Sequence, residues 1–113
     1  MLKKTFRYVQ LNNGKKKLCI EFQDRQYRLL STLFFVEDDA FEAWITEHIN
    51  DVLQGKADRR NISGNVCELV IEKEHTCVYD MLAKDGMGDR CTVSTRELLS
   101  LIAEWHERKM TLT

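Results

Sequence analysis

Apolar and polar residues alternate along two stretches near the start of the chain. Residues 5–11 (Thr-Phe-Arg-Tyr-Val-Gln-Leu) and 18–22 (Leu-Cys-Ile-Glu-Phe) both follow the two-residue period of a strand with one buried face. Asn12, Asn13 and Gly14 lie between them and tolerate the positive φ of a tight turn, so residues 5–23 are predicted to form a hairpin. Residues 27–36 carry continuous apolar runs, Leu29-Leu30 and Leu33-Phe34-Phe35-Val36. Such runs suit a third strand covered on both faces or leading into a helix. Glu37-Asp38-Asp39 then opens a helix, where Asp38 or Asp39 can accept from free first-turn amides and favour the positive end of the dipole. Phe41, Trp44, Ile45, Ile49, Val52 and Leu53 follow at helical spacing as one buried stripe, and Gly55 ends the helix as a C′ glycine. Residues 56–63 read as a polar connector.

The second half repeats strand signals at shorter spacing. Residues 66–72 and 76–81 are predicted as strands around a turn at 73–75, with a loop over 84–89 and a short strand at 90–93. The last helix begins with a capping box, Ser94 serving the amide of Glu97 and Glu97 reaching back. Leu98, Leu101, Ile102 and Trp105 form its buried stripe, and Arg108 and Lys109 suit its negative end. The predicted fold is α+β, an antiparallel sheet packed against two helices in the order β-β-β-α-β-β-β-α. With no proline and no low-complexity tract to serve as a linker, residues 1–113 are expected to form a single domain.

Composition narrows the class. The apolar fraction of 43% supports a core without staples, and no apolar run approaches the roughly 20 residues that span a bilayer. The basic start lacks the apolar segment of a secretory signal, so a cytoplasmic protein with no membrane partner is expected. The four cysteines are widely spaced, without a Cys-x-x-Cys pair, and fit buried free thiols better than zinc or disulfides. Alternation places Cys67 with Leu69 and Ile71, Cys77 with Tyr79 and Met81, and Cys91 with Val93. Cys19 shares a face with Glu21 and Gln23, which makes it the most accessible thiol.

Catalytic patterns are weak. His48, His75 and His106 have no i, i+4 histidine partner and no adjacent cysteine pair, so no metal or cofactor is expected; a nuclease site could still arise from histidines joined by folding. The 85–89 segment has glycines but neither the ligand alternation of a calcium loop nor the lysine of a phosphate loop. Charge is more informative. The net charge of −1 conceals a balance of +6 over residues 1–30 and −6 over residues 31–58. An acidic patch of that kind suits docking to a basic protein, because opposed fields speed encounter and select partners. The alternative is a small nucleic-acid-binding module led by Lys15, Lys16 and Lys17, although Phe6, Tyr8 and Phe22 are the only rings that the hairpin offers for stacking.

The phrase Ile62-Ser63-Gly64-Asn65 precedes a strand and hairpin. A short strand then feeds Ser94-Thr95-Arg96-Glu97-Leu98-Leu99, and the helix ends in Ile102-Ala103-Glu104-Trp105. Over roughly residues 40–106 this arrangement resembles the small bacterial immunity proteins that accompany polymorphic toxins, including those of contact-dependent growth inhibition. The resemblance implies a cytoplasmic, non-enzymatic protein that binds a cognate toxin C-terminal domain and occludes its active site, with no small-molecule substrate. Many such toxins are nucleases with basic clefts, which an acidic face would engage. The residues expected at the toxin interface are Glu37, Asp38, Asp39, Glu42 and Glu47, followed by Asp85 and Asp89.

Overall fold

The first four elements account for the N-terminal third. In the computed structural model, which describes residues 2–37, 39–81 and 90–111, strands β1 (Lys4–Gln10) and β2 (Lys16–Phe22) form a two-stranded antiparallel sheet. Gly14, at φ 82°, supplies the turn. Phe6 lies opposite Ile20 and Tyr8 opposite Leu18 on the face turned to the core, while Arg7, Val9, Lys17 and Cys19 lie on the other. Asp24 then caps a short 3-10 turn (Arg25–Tyr27), its side chain accepting from the Gln26 amide.

The next element corrects the predicted third strand. Residues Arg28–Val36 form helix α1, burying Leu29, Leu30, Leu33 and Phe34. Those positions are i, i+1, i+4 and i+5, which fall on one side of a 3.6-residue period and on both sides of a strand. Helix α2 (Asp39–Leu53) follows, burying Phe41, Glu42, Ile45, Ile49 and Val52. It ends as expected at Gly55, φ 80°, in a Schellman arrangement: the Lys56 amide donates to Asp51 and the Gly55 amide to Val52.

Strands β3 (Arg59–Ser63), β4 (Cys67–Glu72), β5 (His75–Asp80) and β6 (Arg90–Ser94) form a four-stranded antiparallel meander in that order. β3 occupies part of the predicted connector. It is an edge strand whose single buried apolar residue, Ile62, leaves no alternation to detect. Register places Ile62, Leu69, Val78 and Cys91 in one row across the sheet, with Ile71, Thr76 and Val93 in the next. These rows face the helices. Cys77 therefore lies on the opposite, half-exposed face, while Cys67 and Cys91 are buried.

Helix α3 (Thr95–Met110) starts at Ser94, whose Oγ accepts from the Glu97 amide at 3.3 Å. Thr95 fixes the start of the helix on the β4–β5 turn: its Oγ1 bonds Thr76 Oγ1 at 2.8 Å and donates to the Glu72 carbonyl. The Trp105 ring packs on Phe34 at 5.3 Å, and the buried core draws on both sheets and all three helices. Among the described residues, no helix is long and apolar enough to cross a membrane.

Candidate functional site

The acidic residues singled out in the sequence divide sharply by position. Glu37 ends α1 and folds over the β3–β4 turn, where its carboxylate accepts from the amides of Asn65 (2.9 Å), Val66 (3.1 Å) and Cys67 (3.3 Å). It is only 4% exposed. A Cβ at Gly64 would sit 2.6 Å from Glu37 Cδ, so the missing side chain there makes room for the carboxylate. Glu42 is fully buried: Trp105 Nε1 donates to its Oε1 at 2.9 Å, Lys109 Nζ lies 3.4 Å from Oε1, and His106 Nε2 lies 3.2 Å from Oε2. Burial raises its pKa, opposed by the charges of Lys109 and His106. Glu37 and Glu42, expected at the toxin interface, thus point inward and are buried, their carboxylates accepting from internal donors.

Asp39 and Glu47 are exposed on α2. The Lys109 ammonium donates to Asp39 Oδ1, and that hydrogen bond holds the Asp39 carboxyl below its usual range. Glu47 has no hydrogen-bond or ion-pair partner among the described residues. Asp38, Asp85 and Asp89 lie outside the described residues.

Asp39, Glu42 and His106 bring ligand atoms within 4.8 Å of one another, a set of metal-ligand types. However, Lys109 already supplies a cation to both carboxylates, and three donors fall short of the four of a closed structural zinc site. We read the group as a charged clasp between α2 and α3. The other histidines sit elsewhere: His75 is exposed at the start of β5, and His48 packs edge-on against Trp44 at 5.1 Å between ring centres.

The basic hairpin is partly neutralised and has few free rings. Arg7 forms a bidentate pair with Glu21 at 2.8 and 2.9 Å, Lys4 pairs with Glu104 at 2.9 Å, and Lys17 lies over the Phe35 ring. Phe6 is covered by Arg108, and Phe22 packs on Tyr27. That leaves Tyr8 as the hairpin's one broadly exposed aromatic, a poor platform for successive bases. A groove of about 430 Å³ runs between Leu2 and α3, lined by Lys4, Arg96, Glu97, Ser100, Leu101 and Glu104.

The outer face of α2 has a different character. Asp39, Ala40, Ala43, Trp44 and Glu47 are all exposed, and Trp44 is 42% exposed. Its indole is held between Phe41, at 6.0 Å, and His48. Among the described residues, both ring nitrogens of His48 are buried without a hydrogen-bond partner.

No family model and no solved structure matches the chain. A Bacillus cereus protein named "Immunity protein" is 38% identical over 108 residues, spanning 96% of this chain and 90% of that protein. The chain belongs to the immunity-protein family. In this family member, Trp44 is the surface feature that sequence reasoning missed, having placed it in the buried stripe. Positions 42, 45, 49 and 52 trace the centre of the buried face, which would have put Glu42 inside and Trp44 at its edge.

Proposed function

We propose that this protein binds and neutralises a cognate toxin C-terminal domain by occluding its active site, that the toxin is a nuclease of the contact-dependent growth inhibition type, and that neutralisation takes place in the cytoplasm. The observation that carries the reading is near-full-length similarity to a protein named for immunity. The geometry supports a binding role. The chemistry-bearing carboxylates Glu37 and Glu42 are spent on internal donors, whereas α2 presents Asp39 and Glu47 outward. An acidic face suits the basic cleft in which a nuclease grips a phosphate backbone, and it accelerates encounter with such a cleft. No cofactor enters this mechanism.

The test begins by recovering the toxin domain with the tagged protein from its native host and purifying that domain alone. Its cleavage of DNA and RNA is then measured while the immunity protein is titrated in. The reading expects activity to fall linearly and vanish near equimolar addition. A toxin still fully active in stoichiometric excess refutes neutralisation. A toxin that is neutralised but cleaves neither nucleic acid refutes the nuclease assignment.

A further inference from the structure

We propose that the toxin is recognised by the outer face of α2, centred on the Trp44 indole and running from Ala40 to Glu47, and that it meets this face with a lysine or arginine over the indole and a second basic group at Glu47. The proposal rests on the neutralisation reading above and names the surface through which it acts. Ala40 and Ala43 carry only methyl side chains, one turn before Trp44 and directly before it, so the ring stands above a low apolar surround. The 15 residues of α2 include no lysine or arginine. Asp39 on this face is paired with Lys109, so Glu47 carries its remaining negative charge, and the charge it complements is positive. One turn beyond the indole, Glu47 adds a carboxylate with no side-chain partner among the described residues.

The ring is also prepared for contact. Phe41 and His48 brace it from within the helix, so little rotamer freedom remains to be lost on binding. Tryptophan is enriched at binding hot spots, and an indole face attracts a cation most strongly once water is excluded. The exposed hairpin offers the contrasting face: Tyr8 is 51% exposed, but Lys15 and Lys16 surround its turn with the wrong sign for a basic partner.

The chain has two tryptophans, one half exposed and one buried, so fluorine NMR of protein labelled with 5-fluorotryptophan reads each separately. On adding the purified toxin domain, the Trp44 resonance is expected to shift and become inaccessible to solvent, while that of Trp105 stays in place. By calorimetry, Trp44→Ala should weaken Kd by about 30-fold or more, the range of a hot-spot residue. Glu47→Lys should slow association at low salt, and Tyr8→Ala should leave Kd within about two-fold, as an off-interface substitution does. If wild-type protein inhibits the toxin while the Trp44 resonance stays fixed and Trp44→Ala binds equally well, the α2 assignment falls and neutralisation stands. If wild-type protein fails to inhibit, both fall. The fluorine measurement on the unmutated chain remains decisive even if Trp44→Ala folds poorly.

Discussion

Replacing Glu37 should unfasten the junction between the helical layer and the four-stranded sheet. Its carboxylate serves three backbone donors, those of Asn65, Val66 and Cys67, and is almost fully removed from water. A hydrogen bond to a charged group contributes roughly 1.5–3 kcal/mol, but three that share one acceptor group do not add fully. Asn65 is exposed and can turn to water, whereas the Cys67 amide is buried and would be stranded. Glu37→Ala should therefore cost about 3–5 kcal/mol, a large share of the roughly 5–15 kcal/mol that holds a domain together. Glu37→Gln keeps the shape but turns an NH2 group toward a backbone N–H, costing about 1–3 kcal/mol. Gly64→Ala attacks the same contact from the other side, since its Cβ would meet Glu37. Urea unfolding with linear extrapolation measures each variant and the double mutant. Gly64→Ala should be markedly less costly once Glu37 is already alanine. A loss below about 1 kcal/mol for Glu37→Ala, or an equal cost for Gly64→Ala in both backgrounds, would refute the lock.

Three further outcomes are expected. Trp105→Phe removes the indole donor to Glu42 and part of the packing on Phe34, and should cost about 2–4 kcal/mol by urea unfolding; a cost under about 1 kcal/mol would deny that this buried hydrogen bond matters. Glu42 has a raised pKa, so its contribution to stability is fully present below its unfolded value near 4.5 and is lost as pH rises through its folded value. Glu42→Gln should thus gain stability relative to wild type as pH climbs above the unfolded value near 4.5, in a clasp that also includes Asp39, Trp105, His106 and Lys109, and a pH-independent difference would contradict this. Burial pushes the Cys67 thiol up to about 12 and the Cys91 thiol to about 11, so a thiol reagent should modify Cys19 and Cys77 in the native protein and all four only in denaturant. Rapid native reaction at Cys67 would contradict the packing.

Local rules made the two longer helices legible. Ser94 capping Glu97, the Leu98–Leu101–Ile102–Trp105 stripe and Gly55 in a left-handed turn all follow from neighbours within one or two turns. What escaped depends on distant partners or on weak periodicity. The apolar run of α1 fits both a buried strand and a helix until its burial at 29, 30, 33 and 34 selects the latter. β3 carries one buried apolar residue, so its pairing with β4, rather than its own pattern, makes it a strand.

The candidate site was harder to read for a related reason. Counting charge over residues 31–58 treats every carboxylate as solvated. Glu37 is instead taken up by a turn 28 to 30 positions away, and Glu42 by a tryptophan 63 positions away. Asp39 and Asp51 are paired with Lys109 and Arg60. The acidic face is therefore smaller than its sequence charge, and the exposed indole of Trp44 becomes its most distinctive group.

Survival of cells expressing the purified partner's toxin domain alongside this protein tests the central claim most directly. Wild-type protein and Tyr8→Ala should restore growth, while Trp44→Ala and Glu47→Lys, expressed at equal levels, should leave cells unprotected or protect them only at much higher dosage. Growth arrest despite abundant folded wild-type protein would contradict the claim of toxin neutralisation.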